Sequence, residues 1–193
     1  METIIGLGSA GCNIADKFKQ HSQYKIYKID TGLKKQARSY ALEYQDTPEQ
    51  YEANCPRLKQ FFKGVSNDVL FITSCGHVSG ASLRILEQFK DKCEINILYI
   101  KPDESFLSDT KISQNNLAFN VLQEYSRSGV FKRIYLIDNI EVAKIIGDIP
   151  VREYYDKLNE LIVSTMHMIN VFDNSESVMN TFSPLSEVAR IST

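Results

Sequence analysis

Apolar residues along this chain fall into two alternating rhythms. "TIIGLG" (3–8), "DVLFITSC" (68–75), "EINILYIK" (94–101) and "FKRIYLID" (131–138) are short and nearly continuous, the mark of strands buried on both faces. "YKIYKID" (24–30) reads as a further strand. Helical spacing separates them: a helix from about Cys12 to Gln20, another over "GASLRILEQFKDK" (80–92), and a third over "TKISQNNLAFNVLQEYSRSG" (110–129), ending on Gly129. Residues 33–64 are polar and charged, and predict two helices around the break "DTPEQ" at 46–50. Strand–helix alternation of this kind predicts an α/β fold, a doubly wound, mostly parallel sheet with helices on both faces.

The segment "PVREYYDKLNELIVSTMHMINVF" (150–172) differs from the rest. Pro150 suits a helix start. Tyr154, Leu158, Leu161, Ile162, Thr165, Ile169 and Phe172 follow at helical spacing. The pattern predicts one helix of about 22 residues, roughly 33 Å long at 1.5 Å per residue. Few charges in its second half suggest burial between two bodies of structure. The expected organisation is therefore an α/β domain over 1–149, a long core helix of the same domain over 150–172, and a loop with a first strand of a second domain over 173–193.

Composition narrows the function classes. A 43% apolar and 24% charged chain of 193 residues can bury an ordinary core, which excludes disorder. A net charge of −2 offers no electrostatic case for nucleic acid or an anionic membrane. No signal-peptide pattern opens the sequence and no apolar run is long enough to span a bilayer. Cys12, Cys55, Cys75 and Cys93 form no C-x-x-C pair and are expected to be free thiols in a reducing cytoplasm. His21, His77 and His167 have no partner at metal-ligand spacing, so no His/Cys metal site is expected.

Candidate chemistry lies where strands hand over to helices. Gly6-x-Gly8-x-x-Gly11 follows the first strand, and Asp30 stands 19 residues after the last glycine. That is the dinucleotide fingerprint, with the acid placed for a ribose hydroxyl. A mononucleotide phosphate would suit the same turn, because helix-start amides favour any phosphate. "SCGHVSGAS" (74–82) is a second small-residue loop before a helix; it could grip phosphate from another side, or simply make a tight turn. Tyr155 and Asn159 share one face of the long helix at i and i+4. A ring and an amide there could stack on a purine and bond its edge. Asparagine supplies both donor and acceptor, as the mixed edge of guanine requires.

These residues carry a family resemblance. The chain resembles the nucleotide-binding domain of the tubulin/FtsZ superfamily over most of its length. "GLGSAGCNIADKF" (6–18) is similar to the first phosphate loop and its helix, and "FITSCGHVSGAS" (71–82) occupies the place of the glycine-rich second loop. "YLIDNIEV" (135–142) resembles the sixth strand with the asparagine that bonds the base. "YYDKLNELI" (154–162) resembles the head of the family's core helix. The resemblance implies contacts to GTP or GDP from Gly8, Ser9, Gly11, Cys12, Asn13, Gly76, Ser79, Gly80, Ala81, Ser82, Asn139, Tyr155 and Asn159, with Mg2+ accompanying the triphosphate. It also implies that Asp173 and Glu176, in the loop after the core helix, act on the nucleotide of a neighbouring subunit in a head-to-tail filament. A carboxylate there would orient or deprotonate the attacking water. The same "DNSE" could instead cap a helix, Asp173 as N-cap and Glu176 at N3.

Three departures from the family pattern bear on function. The second loop keeps only Gly76 and Gly80, residues 38–64 provide no match for the glycine-rich loop that meets the γ-phosphate in FtsZ, and the expected second domain is not represented beyond its first strand. The expected function is a guanine-nucleotide-binding, filament-forming GTPase whose partner is itself or a tubulin/FtsZ-like filament. Two alternatives stay open: a non-hydrolysing interaction module of the same fold, and an NAD-dependent oxidoreductase resting on the glycine turn and Asp30.

Overall fold

The apolar runs form one sheet. A computed structural model describes residues 2–65, 67–147, 150, 152–175 and 191–192. Strands β1 (Thr3–Leu7), β2 (Lys25–Thr31), β3 (Ser39–Leu42), β4 (Asn67–Ser74), β5 (Cys93–Lys101), β6 (Arg133–Asp138) and β7 (Ile191–Ser192) lie in the order β3-β2-β1-β4-β5-β6-β7. Every ladder is parallel. The order reverses at β1, which places a crevice outside the carboxyl ends of β1 and β4.

Alternation along each strand divides the core in two. Ile5, Leu7, Tyr27, Ile29, Val69, Phe71, Ile95, Ile97, Tyr99 and Ile134 face one way. They pack under α2 (Pro48–Ala53), α3 (Ser82–Leu86) and α4 (Asp109–Arg127) through Tyr51, Ile85, Leu86 and Leu122. Ile4, Ile26, Leu70, Ile72, Leu98, Ile100 and Tyr135 face the other way. Against them lie α1 (Gly8–Lys17), through Ile14 and Ala15, and α6 (Tyr154–Asp173), through Leu158, Ile162, Val163 and Met166. The short helix α5 (Asn139–Ile146) adds Val142 and Ile146 to the rim of that layer. Among the described residues no helix is long and apolar enough to cross a membrane.

Several element boundaries depart from the sequence reading, each for a local reason. Residues 33–64 hold β3 and a single short helix rather than two helices. In α2, Thr47 accepts a hydrogen bond from Gln50 N and Pro48 takes the first turn. The expected second helix is a run of turns in which Leu58, Phe62 and Val65 are buried; their helical spacing comes from isolated turn bonds such as Phe62 N to Leu58 O at 3.0 Å. The helix expected over 80–92 shrinks to α3. Past it the backbone tightens to i→i−3 bonds at Gln88 and Phe89, dropping Phe89 into the core. The helix expected from Cys12 begins at Gly8, inside the glycine turn. Pro150 lies in the turn that leads into the long helix, which begins at Tyr154. Gly129, at φ +81°, ends α4 as expected. The segment expected to open a second domain falls largely outside the described residues; its described end, β7, pairs with β6.

Two glycines set how close α1 comes to the sheet. A Cβ on Gly6 would lie 2.3 Å from the carbonyl oxygen of Gly11, and one on Gly11 would lie 2.5 Å from that of Ile72. The first turn of α1 therefore packs backbone against backbone on β1 and β4. Gly11→Ala should destabilise the fold by about 1–3 kcal/mol, the usual range for forced overpacking. Gly76, with φ −69° and nothing within 4 Å of its would-be Cβ, is the control, and Gly76→Ala should stay within about 0.5 kcal/mol. Urea unfolding of the two variants beside the parent measures the difference.

Candidate functional site

The carboxyl pole of the sheet gathers most of the residues singled out in the sequence. Gly8, at φ +71°, lets the chain turn from β1 into α1, and a Cβ placed on it would sit 3.8 Å from Val78 Cβ. The first and second small-residue loops are thus adjacent. Ser9 and Asn13 are exposed on α1, and Gly11 is buried beneath them. Cys12 points the other way: its thiol donates towards the carbonyls of Gly6 (3.4 Å) and Ile29 (3.6 Å), and burial pushes its pKa up to about 12. Its side chain pins α1 to β1 and β2, and a ligand above the loop would meet only backbone there.

Asp30 is buried and occupied. Ser9 Oγ donates to one carboxylate oxygen at 2.9 Å and Thr31 N to the other at 2.8 Å. The acid that a dinucleotide reading needs for the ribose instead ties the end of β2 to the first loop.

The second loop is a 3-10 turn, His77–Ala81, leading into α3. Its hydroxyls are engaged within the protein. Ser79 Oγ donates to Gly76 O at 2.6 Å, and the Ser82 hydroxyl is buried 3.5 Å from that of Thr73. Ala81 is fully buried. Gly80 has a packing reason to be glycine: a Cβ there would lie 2.0 Å from Pro48 O, so the loop rests on the first residue of α2. Gly76 remains open to solvent. Glu49, in the first turn of α2, has its carboxyl held low by its own backbone N–H and the Thr47 side chain, and the His77 ring adds to this, so a carboxylate stands beside the loop.

The base-facing candidates stand on α5 and α6. Asp138 caps α5 by accepting from Ile140 N at 2.9 Å and also meets Lys101 Nζ at 3.3 Å. Asn139, next in sequence, has a side-chain oxygen that is buried and has no hydrogen-bond partner among the described residues. Tyr155 is 68% exposed at the head of α6, edge-on to Tyr154 at 5.2 Å, while Asn159 is half-buried one turn further on. Burial raises the Tyr154 pKa, and the charges of Tyr155 and Asp103 add to it; Asp103 lies in the loop after β5, which brings the head of α6 to the same pole. Lys17 fixes α6 on α1 through Asp156 (2.6 Å) and Glu160 (3.5 Å). Asn13 lies one turn before Lys17 on the same face of α1.

Asp173 is not with them. It is the exposed last residue of α6 and raises the pKa of Lys132, whose main cause is the Glu94 carboxylate. Lys132 directly precedes β6, so Asp173 belongs to the amino pole, opposite the small-residue loops. It closes a helix rather than opening one. Glu176 lies outside the described residues.

One residue of the carboxyl pole was missed in the sequence. Lys111, exposed in the first turn of α4, lowers the pKa of the Cys75 thiol against the dominant upward push of burial. Lys111 has no ion-pair partner among the described residues. A lysine at a helix start opposes the helix dipole, and that misfit was the available signal.

No protein-family model matches the sequence, and no curated protein is detectably similar to it in sequence. Solved structures do match. An empty FtsZ dimer from M. jannaschii superposes with a TM-score of 0.70 at 15% identity, covering 92% of this chain and 56% of that one. A point mutant of FtsZ from the same organism gives 0.70 at 14% identity, over 92% and 58%. This chain therefore spans little more than half the length of those proteins. Over that span it has the fold of FtsZ.

Proposed function

We propose that this chain binds a guanine nucleotide at the carboxyl pole of its sheet. The phosphates lie over the first turn of α1, and the base is held between Asn139 and the Tyr155–Asn159 face of α6. The observation that carries this reading is the unpartnered, buried side-chain oxygen of Asn139. Buried acceptors are nearly always paired, and an orphan acceptor at the end of β6 fits a base whose edge donates from a ring N–H and an amino group. Further support comes from the closeness of the two small-residue loops and from the Lys111 cation, which acts on Cys75 in the second and has no ion-pair partner among the described residues.

The finer reading is a filament-forming GTPase, with Mg2+ accompanying the triphosphate. Asp173 at the amino pole of one subunit would meet the nucleotide at the carboxyl pole of the next, so hydrolysis requires head-to-tail contact. A second reading is favoured by the second loop itself. With both serine hydroxyls engaged, Gly80 packed on Pro48 and the Glu49 carboxylate alongside, that loop has little left for a γ-phosphate. On this second reading the protein keeps GDP and acts as a non-hydrolysing module.

Thermal unfolding with GTP, GDP, ATP and NAD tests the site. Guanine nucleotides should stabilise the chain selectively, by about 2.7 kcal/mol at 100-fold excess over Kd. Equal stabilisation by ATP or NAD would remove the guanine assignment.

Tyr155→Ala should weaken guanine-nucleotide binding by about 1–3 kcal/mol in calorimetric titration, the usual worth of a base–aromatic stack. An unchanged affinity would dismiss the assigned pocket.

Asp173→Asn should leave nucleotide affinity unchanged while abolishing any GTP turnover that rises with protein concentration. Turnover independent of concentration in the parent would defeat the head-to-tail arrangement, and tighter GDP than GTP binding without turnover would favour the module.

A further inference from the structure

The far end of α6 is held by a polar relay that takes no part in the nucleotide reading. Asn174 Nδ2 donates to Asn170 Oδ1 at 3.1 Å, and Asn170 Nδ2 donates to Tyr24 Oη at 3.0 Å. Tyr24 Oη lies 2.7 Å from His167 Nδ1. The Tyr24 oxygen accepts from Asn170, and a single hydrogen is shared between Tyr24 Oη and His167 Nδ1. The His167 ring stacks on that of His21, with centroids 3.7 Å apart and planes 20° from parallel. Tyr24 closes the group edge-on to both rings, at 5.7 Å from His167 and 6.0 Å from His21. His21 Nε2 is buried with no hydrogen-bond partner among the described residues.

We infer that the stacked pair His21–His167 is an acid-sensitive latch, holding the C-terminal half of α6 against the turn between α1 and β2 while both rings are neutral and releasing it when they are protonated. The chemistry follows from what surrounds the rings. From α1 and the 3-10 turn after it the charged groups are Asp16, Lys17 and Lys19. Asp16 is paired with Lys19 and Lys28, and Lys17 with Asp156 and Glu160. From the turn into β2 comes Tyr24, with Lys25 exposed after it. From α6 comes His167 itself, with Asp173 a turn and a half further on. No carboxylate bonds either imidazole among the described residues.

Two positive rings at stacking distance would repel, with no carboxylate among the described residues bonded to either. Burial, with a smaller contribution from His167, holds the His21 pKa below its usual 6.5. The unfolded chain thus takes up its proton at higher pH than the folded one. Stability from this group is complete above that usual value, and is lost as pH falls from there through the lowered folded value. The latch concerns the α1–α6 contact alone and does not rest on the guanine reading.

Hydrogen exchange read peptide by peptide at pH 7.5 and 5.5, corrected for intrinsic rates, tests it. Amides over 166–174 should exchange faster at the lower pH, the direction set by a His21 pKa that is lower in the folded chain than in the unfolded one. Those over 154–161 and in α4 should change little. His21→Phe keeps a stacked ring without a charge and should remove the response; His21→Gln serves if the phenylalanine does not fold. An imidazole NMR titration of the unaltered protein gives an independent reading, in which His21 should titrate below 6.5. Loosening that is uniform over the molecule, a response that survives both variants, or a His21 titrating at or above its usual value would overturn the latch.

Discussion

Direct contact of the first turn of α1 with the backbone of β1 and β4 is the constraint on which the rest of this structure is built. Only residues without a Cβ permit it, since Gly6 and Gly11 would each place that atom within 2.5 Å of a carbonyl oxygen. The contact puts the start of α1 at the point where strand order reverses, directly over the crevice. The Cys12 thiol and the Ser9–Asp30 pair then lock the same turn to β1 and β2. Residues that look like ligand contacts in the sequence are in part the fasteners that hold the pole in shape.

This distinction explains what the sequence could and could not convey. The strands were legible because each apolar run is buried on both faces, so the pattern is almost independent of tertiary detail. The placement of Asn139 at a strand end and of Tyr155 and Asn159 on one helical face was equally local. β3 was missed because four residues at a sheet edge carry too little periodicity to stand out from a charged segment. Leu58, Phe62 and Val65 mimicked a helix because isolated turns can bury residues at the same spacing. Gly80 was ambiguous for another reason: its neighbour, Pro48, is 32 residues away in sequence, and no local pattern reports a long-range backbone contact.

The long helix α6 joins the two poles physically. Its head presents Tyr155, its first turns are tied to α1 through Lys17, its middle is buried through Ile162, Val163 and Met166, and its tail is fastened by Tyr24 and the two histidines. At 20 residues it is about 30 Å long. A displacement at either end is therefore shared with the other unless the helix bends. The two anchorages differ in kind. The head is held by ion pairs between a half-buried lysine and two exposed carboxylates, which are individually weak and screened by salt. The tail is held by packed rings and a hydrogen-bond relay, which in the proposed latch answers to protons rather than to salt. Changes in ionic strength and in pH should accordingly act on opposite ends of one rigid element, the first where Tyr155 stands and the second where Asp173 ends the helix.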